Sequence, residues 1–128
     1  MKFTLIIATY NRLEEVKELL ASAEAMDFDR AAFEILFSDD GSTDDTLAFL
    51  EGYRSASGLQ VRWVHQQNQG PGAARNHAME HARGDYFIFI DSDCMFPPDY
   101  LLRVDEALQA HAYDALGGPD TCHPDFPP

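Results

Sequence analysis

Tyr86-Phe87-Ile88-Phe89-Ile90 is an apolar run rich in aromatic and β-branched residues, and it stops at Asp91-Ser92-Asp93. The run is too short for a helix. Unbroken apolarity reads as a strand buried on both faces, the central strand of a sheet. The acids fall at its C-terminal end. Strand alternation sends Asp91 and Asp93 to one side and Ser92 to the other, so the two carboxylates converge on one point. At about 5 Å and an effective dielectric of about 20, they repel by roughly 3 kcal/mol, a penalty that a divalent cation removes. Taken alone the triplet is weak, because Asp-x-Asp is common. It reads more readily as a solvated turn whose Asp caps a helix starting near Pro97 or Pro98.

Other apolar runs end the same way. Lys2 to Ala8 gives a first strand that ends at Thr9-Tyr10-Asn11. Phe33-Glu34-Ile35-Leu36-Phe37 gives a second that runs into Ser38-Asp39-Asp40-Gly41, and Val61-Arg62-Trp63-Val64 a third. Helical periodicity fills the gaps. Asn11 is placed to cap a helix whose Leu13, Val16, Leu19, Leu20 and Ala23 oppose Glu14, Glu15, Lys17 and Glu18. Ser42 or Thr43 can cap a helix carrying Leu47, Phe49, Leu50 and Tyr53, with Asp44 and Asp45 favouring its N-terminus. Pro71 opens a helix from Gly72 to Ala82 that is rich in alanine. Pro97-Pro98-Asp99 opens another, with Leu101, Leu102, Val104 and Leu108 inward, and Ala115 to Gly118 starts a further short strand.

Strands alternating with helices imply an α/β fold. The expected form is a three-layer sandwich with a mainly parallel sheet and right-handed crossovers. The 128 residues suffice for a single domain, residues 1–128, and not for two. Ligands of open parallel sheets bind outside the carboxyl ends of the strands. Three strands here end in polar groups, and their coincidence on one edge argues for a ligand site far more strongly than any one motif.

Charge narrows the ligand. Nine Lys plus Arg against 22 Asp plus Glu leave a net charge of −13, which repels nucleic acid and anionic membranes. A phosphorylated ligand must therefore bring or find a metal. No run approaches the roughly 18 apolar residues of a transmembrane segment, and Phe3 to Ala8 is too short for a signal-peptide core, so a cytoplasmic chain is expected. In that compartment Cys94 and Cys122 are expected as free thiols. His77 and His81 have the spacing of a two-histidine metal site without an evident third ligand, and are read as helix-surface residues. No Gly-x-Gly-x-x-Gly or Walker motif is present.

Four blocks carry a family resemblance: Ile6-Ile7-Ala8-Thr9-Tyr10-Asn11-Arg12, Ser38-Asp39-Asp40-Gly41-Ser42-Thr43-Asp44, Gly70-Pro71-Gly72-Ala73-Ala74-Arg75-Asn76, and Gly84-Asp85-Tyr86 through Asp91-Ser92-Asp93. In that order and spacing the chain resembles the nucleotide-binding half of an inverting family 2 glycosyltransferase, with the Rossmann-like GT-A fold. Ala8 departs from the Pro of many members, which touches loop stiffness and not chemistry. The resemblance implies a nucleoside diphosphate sugar donor, and a saccharide or lipid-linked acceptor. Thr9, Tyr10, Asn11, Asp39, Asp40, Arg75, Asp91 and Ser92 would contact the nucleotide. Tyr10 would stack on the base. Asp39 would accept a hydrogen bond from base or ribose, and Arg75 would meet the base or a phosphate. Asp91 would hold the ribose or a metal-bound water, and Asp93 would bind Mg²⁺ or Mn²⁺ directly, as the second acid of a DXD motif. An Asx-turn and helix capping are the structural alternatives for Asp39 and Asp40, and an ion pair with one of these acids is the alternative for Arg75.

The resemblance implies a general base beyond Asp93, in the acceptor-binding half. Asp120 and Asp125 are candidates by residue type only, and the chain is expected to be part of a longer catalytic domain. Two other functions compete. A sugar-phosphate nucleotidyltransferase would want a Gly-rich, basic loop after the first strand, which Thr9-Tyr10-Asn11-Arg12-Leu13 lacks. A non-catalytic nucleotide-sugar binding module would bind the donor and release no free sugar.

Overall fold

The computed structural model describes residues 1–111. Strands β1 (Phe3–Thr9), β2 (Phe33–Asp39), β3 (Val61–His65) and β4 (Tyr86–Asp91) alternate with helices α1 (Leu13–Glu24), α2 (Thr46–Gly52), α3 (Pro71–His81) and α4 (Tyr100–His111). Among the described residues the strands form a four-stranded sheet, all parallel, in the order β3-β2-β1-β4.

Alternation sorts the side chains into two layers. Phe3, Leu5 and Ile7, Phe33, Ile35 and Phe37, and Ile88 and Ile90 share a core with Val16, Leu19 and Leu20 of α1, Leu50 of α2, and Leu101, Val104 and Leu108 of α4. Ile6 and Leu36 point the other way and meet Ala78 of α3, flanked by half-buried Phe87 and Phe89. The small residues Ala74 and Ala78 are the buried ones of α3, and they let that helix lie close to the sheet. Helices thus cover both faces, giving the expected three-layer α/β sandwich.

The placement of β4 differs from the sequence expectation. It pairs with β1 and stands at the sheet edge among the described residues, whereas β1 and β2 are central. Its unbroken apolarity reflects a packed layer on each face. Pairing along both edges is an independent property that the run does not encode.

Three local starts also differ. Arg12, and not Asn11, occupies the N-cap position of α1. Neither Ser42 nor Thr43 opens α2; Asp45 is the N-cap position, and Asp44 Oδ1 accepts hydrogen bonds from Thr46 N–H at 3.0 Å and Thr46 Oγ1 at 2.6 Å. In α4 the buried stripe is Tyr100, Leu101, Val104 and Leu108, while Leu102 is 39% exposed. Cys94 is disulfide-bonded and carries no free thiol, against expectation. The strand expected over 115–118, Cys122, Asp120 and Asp125 lie outside the described residues.

At the end of the sheet remote from the polar strand tips, the fully buried Glu34 accepts hydrogen bonds from Thr4 Oγ1 (2.8 Å), Arg83 N–H (2.7 Å) and the Arg62 guanidinium (2.5 Å). Burial pushes its pKa up, but the bonds from Arg83, Arg62 and Thr4 outweigh this and leave it below the ordinary carboxylate value. Gly84 follows at once. A Cβ there would sit 2.5 Å from the Phe3 carbonyl carbon and the Thr4 nitrogen, so only glycine lets the α3–β4 turn close on β1. That contact fixes the register of β4, and hence the height of Asp91 at the opposite end.

Candidate functional site

The parallel register sets Thr9 opposite Asp39 and Ala8 opposite Asp91, so the polar strand ends share one rim. Two adjoining cavities open along it. One, of about 360 Å³, is lined by Thr9, Tyr10, Asp40, Asn68 and Gly70. The other, of about 260 Å³, is lined by Arg75, Asp91 and Asp93. Ala8, Arg12, Pro71 and Ser92 wall both, so they form a single cleft.

The neighbouring acids Asp39 and Asp40 have opposite surroundings. Asp39 is fully buried, and Ser42 occupies both of its oxygens through its N–H (2.8 Å) and its hydroxyl (2.5 Å). It closes an Asx-turn and, instead of the cleft itself, lines a neighbouring cavity of about 360 Å³ with Gly41, Leu47 and His65, which shares Asn68 with the cleft wall. Asp40 does line the cleft. Its Oδ1 accepts from Gln66 Nε2 (2.9 Å) and Gln69 N–H (2.8 Å), and its Oδ2 from Gly70 N–H (3.0 Å). A carboxylate offers about four acceptor sites, so roughly one is left for a ligand. Burial pushes the Asp40 pKa up, but the bonds from Gln66, Gln69 and Gly70 prevail and hold it below the ordinary value. Asp40 is therefore an anionic, acceptor-only group at one end of the cleft. It also positions the loop from Gln66 to Gly70 that forms the wall.

Tyr10 is 43% exposed at this end, with a ring face open to a ligand. Thr9 is 3% exposed, and alternation places its hydroxyl on the Leu5 and Ile7 side, where Oγ1 has no hydrogen-bond partner among the described residues. Its contribution to the cleft wall is therefore mainly backbone. Asn11 is exposed, but its side chain is engaged by a neighbouring loop. It adopts φ +52°, and its Oδ1 accepts from Thr43 N–H (2.7 Å) and Asp44 N–H (3.3 Å), tying the β1–α1 loop to the β2–α2 loop.

At the other end the chain leaves β4 in a turn, with Cys94 N–H donating to the Asp91 carbonyl at 3.1 Å. Asp91 and Asp93 converge as expected, through this turn and not through strand alternation: their carboxylate oxygens and Cys94 Sγ lie within 4.8 Å of one another. A disulfide sulfur is no thiolate ligand, which leaves two carboxylates. Two carboxylates open to solvent fit Mg²⁺ or Mn²⁺, hard cations that take their other ligands from phosphate and water. Arg75 Nη2 stands 4.0 Å from Asp91 Oδ1, both side chains 43% exposed, so the ion pair is loose and open to exchange with a ligand.

Arg12, Asn68, Gly70 and Pro71 also line the cleft without having been assigned a role. Three of them sit inside motif blocks already singled out, and only Asn68 carries no sequence signal. His77 and His81 place their rings 5.3 Å apart, edge to face, and no further metal-ligating side chain joins them among the described residues.

The model of glycosyl transferase family 2 matches residues 4–125. The chain belongs to glycosyl transferase family 2. Its relatives in the family include the poly(ribitol-phosphate) beta-N-acetylglucosaminyltransferase TarS of Staphylococcus aureus, 37% identical over 116 residues, which cover 91% of this chain and 20% of TarS. The poly(ribitol-phosphate) beta-glucosyltransferase of Bacillus spizizenii is 36% identical over 104 residues, covering 80% of the chain and 16% of that protein. This family 2 chain thus spans about a fifth or less of the length of these relatives. Its fold matches S. aureus TarS 1–349 in complex with UDP at a TM-score of 0.79 and 35% identity, over 88% of this chain and 33% of that one. It matches the mannosyltransferase PcManGT from Pyrobaculum calidifontis, in complex with GDP-Man and Mn²⁺, at 0.78 and 27%, over 84% and 32%. The GT-A, Rossmann-like architecture is therefore that of glycosyltransferases that bind nucleotide sugars. No described helix is long and apolar enough to cross a membrane.

Proposed function

We propose that residues 1–128 form the nucleotide-sugar-binding domain of a longer inverting glycosyltransferase, which transfers a sugar from a nucleoside diphosphate donor to a hydroxyl of a saccharide or lipid-linked acceptor. The observation that carries this reading is the polarity of the cleft. An acceptor-only carboxylate and an open aromatic ring stand at one end, two converging carboxylates and an arginine at the other. That order matches base, ribose and diphosphate.

Tyr10 stacks on the base, and the free lone pair of Asp40 accepts a base N–H. Asp39 holds the turn beneath. Thr9 and Ser92 meet the nucleotide along the shared wall, with Asn11 bracing the loop that carries Tyr10. Asp91 accepts a ribose hydroxyl, and Arg75 exchanges its loose pair with Asp91 for a ligand oxygen. Asp93, with Asp91, would hold Mg²⁺ or Mn²⁺, which when bound supplies Lewis-acid stabilisation of the leaving diphosphate. The acceptor hydroxyl attacks the anomeric carbon in line as the diphosphate leaves, inverting the configuration, and a base takes its proton. No described residue is assigned that role.

Titration calorimetry of UDP, GDP and dTDP against the chain, with Mn²⁺ and with EDTA, tests the reading. UDP comes first because the TarS complexes hold UDP and UDP-GlcNAc. The expected result is metal-dependent diphosphate binding that Asp93→Ala weakens about tenfold or more, the value of a lost charge-assisted contact. Equal affinity in EDTA refutes the metal role, and no binding of any of the three refutes the donor role.

A further inference from the structure

Arg12 is poorly explained by its local structure. It occupies the N-cap position of α1 with φ −127° and ψ 45° and makes no side-chain capping bond. Short oxygen-bearing side chains suit that position, and a cation there opposes the helix macrodipole. Its guanidinium makes no hydrogen bond or ion pair among the described residues, and it is exposed. A cation at odds with the dipole of its own helix points to a demand from elsewhere.

The cleft supplies that demand. Three carboxylates line it, those of Asp40, Asp91 and Asp93, against two cations, Arg12 and Arg75. Arg75 already faces Asp91 at 4.0 Å, which leaves Arg12 as the lining cation whose head group is unoccupied among the described residues. Arg12 also walls both cavities, at the junction between the base end and the acidic end. In a chain of net charge −13, a ligand bearing two or three negative charges needs such a positive contact.

We propose that Arg12 binds the diphosphate of the donor, its planar fork of N–H donors meeting phosphate oxygens on the side away from Asp91 and Asp93. The inference rests on the donor reading above and deepens it: Arg12 makes the cleft select a nucleoside diphosphate over the nucleoside alone.

The test is titration calorimetry of the 128-residue chain with uridine, UDP and inorganic pyrophosphate, in Mn²⁺ and again in EDTA. Arg12→Ala is expected to weaken UDP and pyrophosphate by about tenfold or more, and uridine by less than about twofold, with Arg12→Lys intermediate. The loss persists in EDTA, because it does not pass through the metal. Pyrophosphate carries no base, so a preference for another nucleotide does not blank the measurement. Thermal melts accompany the titrations, and Arg12→Ala should melt no lower than wild type, since the substitution removes a cation from a helix N-terminus. Unchanged diphosphate affinity, or equal losses for uridine and UDP, overturns the proposal. Wild-type binding with an indifferent Arg12→Ala sinks the Arg12 role alone, whereas a wild type that binds none of these ligands, nor GDP, sinks the donor reading with it.

Discussion

Asn11 makes two separable contributions, and a pair of substitutions divides them. Its backbone sits at φ +52°, a region that costs most L-residues about 1 kcal/mol and that asparagine and glycine tolerate. Its side-chain oxygen accepts Thr43 N–H at 2.7 Å and, less well, Asp44 N–H at 3.3 Å. Losing a cap of this kind costs about 1 kcal/mol. Asn11→Ala loses both contributions and should destabilise the chain by about 2 kcal/mol. Asn11→Gly loses the cap but keeps the backbone conformation, and should cost about 1 kcal/mol. At this size the alanine variant should melt roughly 6–10 °C lower. Urea unfolding of the three proteins gives the free energies. UDP titration gives the functional consequence, a weaker affinity in both variants, because Tyr10 loses the anchor beside it. A glycine variant no more stable than the alanine variant would refute the backbone argument. Both variants within about 0.5 kcal/mol of wild type would refute the clamp.

Two further predictions concern the frame that carries the cleft. Gly84→Ala drives a Cβ to 2.5 Å from two backbone atoms of β1 and should cost about 3 kcal/mol or more, read by urea unfolding, whereas Gly72→Ala, with nothing within 4 Å, should be neutral or stabilising. Similar behaviour of the two would contradict the close approach. Glu24 accepts bonds from Tyr53, Ser55 and Ser57; burial pushes its pKa up, and these bonds more than reverse it, leaving it below 4.5. A depressed folded-state pKa means stability that is complete above the unfolded value and is lost as pH falls from about 4.5 through the folded value. The fall in urea midpoint from pH 7 to pH 3.5 should therefore be smaller in Glu24→Gln, and an identical fall would refute the assignment.

The strands and both core layers were legible because alternation and helical spacing report directly which face of an element is buried. Strand order was not: the run at Tyr86–Ile90 announces cover on two faces and is silent about partners on two edges, so an edge strand read as a central one. The loops were harder still. Asn11 looks like a helix cap by composition, and only the Thr43 and Asp44 N–H groups that donate to its Oδ1 show that it caps a neighbouring loop instead. The adjacent acids Asp39 and Asp40 show how close a sequence can come. Asp39 continues the alternation of Ile35 and Phe37 and so belongs to the α1 and α2 side, where it is consumed by Ser42. Asp40 is one step further, past the last paired residue, on the cleft. Extending the period-2 argument by two residues assigns turn-holding to the first acid and places the second on the cleft wall. The same argument fails beyond Asp91, the last residue of β4: by Asp93 the chain has left the strand, and a turn, not the pleat, brings the two carboxylates together. The decisive quantity is thus where each strand's last ladder bond falls, because alternation predicts side-chain direction up to that bond and the loop decides it afterwards.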